Sequence, residues 1–153
     1  MNDRTEALSI KNVDAEAVRS LRAEVLRPGL PYEASFYPGD NVPGSAHFGI
    51  YDGDTLIGCA SVFLEDHPDL PETPHWRLRG MAVEEQHRKK GLGSRLLNSC
   101  KQYAKSQGSS LLWCYARTRA IPFYLGQGFT VVGEGFDIDG IGEHFLSQCR
   151  LDD

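Results

Sequence analysis

Arg88-Lys89-Lys90-Gly91-Leu92-Gly93-Ser94 is a stretch whose residue types and spacing could hold an anion. Three cations stand directly before two glycines, and the glycines open an amphipathic run. A helix start leaves its first backbone N–H groups without carbonyl partners, and its dipole favours negative charge there. Glycine has no Cβ, so the backbone can close around a phosphate oxygen with no side chain in the way. One outcome is a pyrophosphate or similar anion seated at the turn. The other is a solvated basic loop whose glycines only permit a tight bend.

The elements around this loop must aim it. His75 to Val83 reads as a strand, with Trp76, Leu78, Gly80 and Ala82 on one face and Arg77, Arg79, Met81 and Val83 on the other. Two arginines on a strand face are costly if buried without partners, so that face meets water or lines a polar cleft. Leu92, Leu96, Leu97, Cys100, Tyr103 and Ala104 form one helical face, and Gly108 is placed to close that helix at the C′ position. Leu111 to Ala116 reads as a short apolar strand. Strand, helix and strand at this spacing predict a parallel crossover, with the loop at the carboxyl end of the first strand.

Before this unit, Ala7 to Lys11 alternates as a strand, and Asp14 can cap a helix carrying Val18, Leu21 and Val25 on its apolar face. Arg19, Arg22 and Glu24 fall among that helix's polar positions, and Pro28-Gly29 stops it. Leu30 to Gly44 is long, irregular and aromatic, the composition of a binding loop or lid or of a packed surface loop. Ala46 to Tyr51 and Thr55 to Leu64 read as a hairpin about Asp52-Gly53, the second strand apolar on both faces and central. Asp66 to Pro74 reads as a proline-rich loop. After Ala116, Pro122 marks the first turn of a short helix ending at Gly128, and Phe129 to Val132 reads as a strand. Gly133 to Gly140 is predicted to be a turn-rich link, and Glu143 to Leu151 the last strand.

The 153 residues suit one domain with a single core, expected to span 1–153. Apolar residues at 41% and charged residues at 24% are ordinary for a globular protein. A net charge of −5 disfavours general nucleic-acid binding. The polar N-terminus has no apolar run behind it, and no stretch is long enough to span a bilayer, so the cytoplasm is expected. Cys59, Cys100, Cys114 and Cys149 are far apart and lie in apolar patterns; with the five histidines they show no metal-ligand spacing. No metal is expected. A P-loop nucleotide enzyme is disfavoured because no G-x-x-x-x-G-K-[ST] occurs.

Met81-Ala82-Val83, Arg88-x-x-Gly91-x-Gly93 and Ala120-x-x-Phe123-Tyr124-x-x-x-Gly128-Phe129, in this order and spacing, resemble the GNAT N-acetyltransferase superfamily. The resemblance covers nearly the whole chain. It implies a mixed α/β (α+β) acyl-CoA N-acyltransferase fold: a central, mostly antiparallel twisted sheet with one parallel strand pair, flanked by helices. It implies an acetyl-CoA-dependent transfer to a primary amine of a small molecule or peptide, by direct attack in a ternary complex. The alternative is a module that binds acyl-CoA without efficient transfer. Dimers are common among such proteins.

The resemblance also assigns residues. Backbone groups of Met81, Ala82 and Val83 would hold the pantetheine arm and polarise the carbonyl. N–H groups from Arg88 through Lys89, Lys90, Gly91, Leu92 and Gly93 to Ser94 would hold the pyrophosphate. Ala120 belongs to the second motif, and Arg117 stands where the family often has Asn, as a further cofactor contact. Tyr124 would stand near the thioester sulfur; a phenol with a pKa of about 10 is protonated at neutral pH and can donate to a thiolate. Many members use a strand carboxylate as base, but this strand carries Arg77 and Arg79 instead. His47, Glu65 and His75 are the candidates, or the amine arrives partly neutral and needs none. Arg79, with Arg22, could attract an anionic group on the acceptor or pair with an acid. His47 and His144 are the remaining acceptor-site candidates.

Overall fold

Hydrophobic alternation and the glycine punctuation place ten regular elements along the chain. In the computed structural model, which describes residues 8–71 and 74–151, they are β1 (Leu8–Val13), α1 (Ala15–Leu26), β2 (Ala46–Asp52), β3 (Thr55–Leu64), β4 (His75–Val83), α2 (Leu92–Ser106), β5 (Leu111–Arg117), α3 (Ile121–Gly126), β6 (Thr130–Ile138) and β7 (Gly142–Arg150). Ala7 of the predicted first strand and Glu72-Thr73 of the proline loop lie outside the described residues. The seven strands form a mixed sheet ordered β1-β2-β3-β4-β5-β7-β6. The β4–β5 pair is parallel. Contacts divide the chain into two compact units, one ending at Phe63 and resuming over Gly80–Cys100, the other made of Leu64–Arg79 and the residues from Lys101 onward.

In the first unit β1, β2 and β3 form an antiparallel meander, with Ile10 opposite Ile50 and Gly49 opposite Cys59. The Asp14 carboxylate caps α1 by accepting from the Ala17 N–H at 3.0 Å. Val18 and Leu21 of α1 pack with Cys59 and Ala82 in a buried cluster. Gly58 of β3 lets Leu96 of α2 come close, because a Cβ there would sit 3.2 Å from Leu96 Cδ1.

Arg22 departs from the polar role its position predicts. It is fully buried. Its Nη1 donates to the Asp40 carboxylate at 2.9 Å and to the Ser35 carbonyl at 2.9 Å. Its Nη2 donates to Asp40 at 3.1 Å and to Ser61 Oγ at 2.9 Å. The guanidinium lies 4.0 Å from the centroid of the Tyr37 ring. Asp40 also accepts from the Tyr37 N–H at 3.0 Å. A buried charge is tolerated only when paired and hydrogen-bonded, and this bidentate pair meets both conditions. The pair ties the irregular 30–44 loop to α1 and β3. Gly80 in β4 has φ +72°, and a Cβ there would meet Arg22 Nε and the Tyr37 ring, each at 3.1 Å.

In the second unit, His75, Trp76 and Arg77 pair with Leu111, Leu112 and Trp113 in parallel. β7 runs antiparallel to β5 from Leu111↔Arg150 to Arg117↔His144. Leu70, Leu111, Trp113 and Leu146 form its buried cluster. α2 ends as Gly108 predicts. With φ +91° Gly108 donates to the Lys105 carbonyl, while the Ser109 N–H reaches back to Ala104. The two bonds satisfy carbonyls that the helix end would leave open. Pro122 falls in the first turn of α3.

The link predicted over Gly133–Gly140 is instead mostly strand, since β6 continues to Ile138. Val132 pairs with Leu146 and Phe136 with His144, so three residues, Gly133 to Gly135, stand opposite Phe145 alone. Local glycine content reads as a turn, but pairing with β7 holds the strand together across a bulge.

Candidate functional site

The predicted anion loop lies within the first unit. After β4, a 3-10 turn over Glu85–His87 leads into Arg88, and α2 begins at Leu92. The Arg95 N–H donates to the Gly91 carbonyl at 3.2 Å, so the amides of Leu92, Gly93 and Ser94 precede the first helical hydrogen bond of this end. Lys89 is the only non-glycine with positive φ among the described residues, at 64°, and Gly91 follows at 78°. A left-handed lysine costs on the order of 1 kcal/mol, and such strain gathers where a loop is shaped for a ligand. Arg88, Lys89, Lys90 and Gly91 are all exposed. A Cβ at Gly91 would meet nothing within 4 Å, so the space over the helix start is open. Arg88 Nε donates to the Val83 carbonyl at 3.0 Å, which anchors the guanidinium at the end of β4. These features fit a diphosphate: a helix start with its dipole, open space over Gly91 and three exposed cations. Ala82 is buried, and Met81 and Val83 are half-buried.

Tyr124 lies in the second unit, on α3. It is buried, edge-on to Phe123 at 5.1 Å and to Phe129 at 5.2 Å between ring centroids. Ala120 occupies the N-cap position of α3, at the end of a 3-10 turn over Thr118–Ala120. Arg117 ends β5 opposite His144 in the register. His144 is buried, and its Nδ1–H donates to the Gly142 carbonyl at 2.8 Å. Arg79 is half-buried near the end of β4's stretch in this unit.

The candidate bases are already engaged. His47 is buried; its Nε2–H donates to the Asp40 carbonyl at 2.9 Å, and Ser61 Oγ lies 2.7 Å from Nδ1. Arg22 donates to the same Ser61 oxygen, so the Ser61 hydroxyl donates onward to His47 Nδ1. Burial and the nearby Arg22 charge hold the His47 pKa below 6.5, although its bond to Asp40 works the other way. His75 is fully buried, accepting from the His67 N–H at Nδ1 and donating from Nε2 to the Pro71 carbonyl. Glu65 pairs with Arg77 at 3.3 Å. Arg77 in turn lies over the rings of Trp113 and Tyr115, at 4.8 and 5.1 Å, which gives the β4 arginine face both an acid and aromatic partners.

Burial pushes the Cys59 thiol up to about 12 and raises those of Cys100 and Cys114 as well, so none of these is a nucleophile at neutral pH. Among the described residues no group of three or more His, Cys, Asp or Glu side chains could hold a metal ion. No helix among them is long and apolar enough to cross a membrane.

Comparison with known proteins decides the family. Residues 13–129 match the model of the acetyltransferase (GNAT) family. The chain belongs to the GNAT family. As a GNAT protein it is an acyltransferase, of a family that in general uses acetyl-CoA. It is 35% identical over 144 residues to the uncharacterized N-acetyltransferase YitI of Bacillus subtilis (strain 168), covering 94% of this chain and 97% of that protein. The fold is shared with a protein of Lactobacillus plantarum, with TM-score 0.78 at 21% identity over 95% of this chain and 99% of the other. It is also shared with an aminoglycoside 6'-N-acetyltransferase solved with coenzyme A, with TM-score 0.76 at 15% identity over 95% of this chain and 98% of that one.

Sequence reasoning left an acid partner open for Arg22 without naming Asp40, and it missed the hydrogen bond between His67 and Tyr115. The partners lie 18 and 48 residues apart, and neither carries a local motif.

Proposed function

We propose that this GNAT enzyme transfers an acetyl group from acetyl-CoA to a primary amine of a small molecule or peptide, by direct attack in a ternary complex, as one domain across residues 1–153. The observation that carries the reading is the loop from Arg88 to Ser94: a helix start beside exposed cations, with a left-handed Lys89 and free space over Gly91. Acetyl-CoA supplies the acyl group as an activated thioester.

The chain's own residues then have separable tasks. The amides of Gly91 to Ser94 bind the diphosphate, and Arg88, Lys89 and Lys90 neutralise it. Backbone groups of Met81, Ala82 and Val83 orient the acyl arm and polarise its carbonyl, a preorganised contribution that needs no rearrangement during the reaction. Arg117 and Ala120 are further cofactor contacts. Tyr124 Oη holds a proton that can pass to the leaving thiolate, and Phe123 and Phe129 pack edge-on against its ring. Arg79 and His144 face the acceptor. His47 shapes the 30–44 loop through Asp40 and Ser61, so it serves the acceptor side by position. With His47, His75 and Glu65 engaged elsewhere, the amine attacks the thioester carbonyl from its neutral fraction, and the rate rises with pH toward the amine's own pKa.

Thiol release from acetyl-CoA across a panel of primary amines tests this. Amine-dependent release is expected. Coenzyme A binding with no release from any amine would make the chain an acyl-CoA-binding module instead.

A further inference from the structure

His47, Ser61, Arg22 and Asp40, all in the first unit, close a ring of hydrogen bonds whose proton positions are fixed. His47 on β2 and Ser61 on β3 are cross-strand partners. The Asp40 carbonyl can only accept, so His47 carries a proton on Nε2 and donates it there at 2.9 Å. A guanidinium can only donate, so the Ser61 oxygen accepts from Arg22 Nη2 at 2.9 Å and gives its own proton to His47 Nδ1 at 2.7 Å. Arg22 closes the ring on the Asp40 carboxylate. His47 is thus held as the neutral Nε2–H form, 3% exposed, with Ser61 fully buried beside it.

A proton taken from solvent at His47 Nδ1 has no place in this ring. Nδ1 becomes a donor and competes with Arg22 Nη2 for the Ser61 oxygen, and the Ser61 proton loses its buried acceptor. Charge acts in the same direction. The ionised groups around His47 are Arg19 and Arg22 from α1 and Asp40 from the loop, two cations against one anion. β3 adds Ser61 and the uncharged ring of Phe63, and β1 places Val13 opposite in register. A protonated His47 is a third cation beside a single carboxylate.

The parts of the ring are not equally held. His47 and Ser61 sit in the β2–β3 ladder, and Arg22 lies within α1. Asp40 belongs to the irregular 30–44 loop, where only Ser35, Tyr37 and Asp40 are buried. All three meet Arg22: it donates to the Ser35 carbonyl, stacks on the Tyr37 ring and pairs with Asp40. Tyr32, Phe36 and Val42 of the same loop are exposed. A disturbance of Arg22 is therefore felt first by the loop, which has the fewest other contacts to hold it.

We propose that His47 is a proton-operated latch on the 30–44 loop: protonation of Nδ1 sets His47 and Arg22 against each other over Ser61, the hold of Arg22 on the loop loosens, and the loop opens in mild acid while the strands stay paired. Tyr37 packs where a Cβ on Gly80 would meet its ring at 3.1 Å, so opening uncovers β4 just before Met81. The latch stands whether or not the chain transfers acetyl groups.

Hydrogen exchange of the backbone amides, corrected for the intrinsic pH dependence of exchange, tests the latch. Burial and Arg22 depress the His47 pKa in the closed loop, so the open loop takes the proton first. Asp40, held below 3.8, stays ionised throughout the range used. Between about pH 7.5 and pH 5, protection of the Tyr37, Asp40 and Val42 amides should fall by up to about tenfold per pH unit once below about 6.5, the slope of one proton. These amides should exchange faster than those of β3 at every pH and ignore low urea, the mark of local opening. His47→Gln should abolish the fall. The imidazole 15N shifts of the wild-type protein, read at neutral pH, should report the Nε2–H tautomer. A Nδ1–H tautomer, protection that does not change with pH, a fall retained in His47→Gln, or loop amides that share the rates and urea dependence of β3 would each overturn the latch.

Discussion

Replacing Asp40 with Asn keeps the shape of the side chain and removes its charge. The Arg22 guanidinium then stays fully buried with no counter-charge from Asp40, which supplies two of its four hydrogen bonds, at 2.9 and 3.1 Å. Removing one partner of a buried ion pair costs about 3–5 kcal/mol. Against a typical domain stability of about 5–15 kcal/mol this is a large share. At about 2–4 °C per kcal/mol for a chain of this size, Tm should fall by roughly 6–20 °C. Burial pushes the Asp40 carboxyl up, but hydrogen bonds from Arg22 and Tyr37 with the Arg22 charge outweigh it and hold the pKa below 3.8. The folded chain thus keeps the proton off where the unfolded chain would accept it. The pair's contribution is complete above about pH 3.8 and is lost as pH falls through the folded value. Urea unfolding followed by circular dichroism, at neutral pH and toward pH 3, measures both effects. The gap between wild type and Asp40→Asn should narrow in acid. A neutral-pH loss under about 1 kcal/mol, or a gap that widens in acid, would refute the assignment of Asp40 as the counter-ion that makes Arg22 tolerable.

His47 behaves in the opposite chemical sense but with the same slope. Its folded pKa lies below 6.5, so protons bind the unfolded chain first, and stability should decline as pH falls from about 6.5 toward the folded value. His47→Gln should flatten that part of a stability–pH curve; an unaltered slope would assign it to other groups. Tyr124→Phe should lower kcat by about 10²–10⁴-fold while coenzyme A affinity stays within about twofold, by the usual scale for a lost general acid; an unchanged kcat removes Tyr124 from the chemistry. Gly91→Glu should abolish coenzyme A binding in calorimetry. Gly91→Ala carries the same backbone strain without the negative charge, and it should bind measurably. Equal loss in both would mean that backbone strain, not the seated anion, sets the effect.

Legibility in the sequence followed the range of each interaction. The loop at 88–94, the Asp14 cap, the Asp52-Gly53 hairpin and the Gly108 helix end were readable because each is decided within a few residues by glycine, proline or a capping side chain. The central position of β3 was readable because it is apolar on both faces. Arg22 was not, since its helical position resembles a solvated one and its partners Asp40 and Ser61 come from other elements. β6 beyond Val132 was misjudged because Gly133 and Gly135 give a turn signal that pairing with β7 overrides. The same holds for His67 and Tyr115, 48 residues apart, which meet only through the fold.

The claim on which everything rests is that the start of α2 seats the diphosphate of coenzyme A. Amide chemical shifts of the labelled protein, followed through a titration with coenzyme A, test it directly. Gly91, Leu92, Gly93 and Ser94 should show the largest, saturable changes, and inorganic pyrophosphate should move the same amides in the same direction. Saturable binding that leaves those four amides in place while others shift would contradict it.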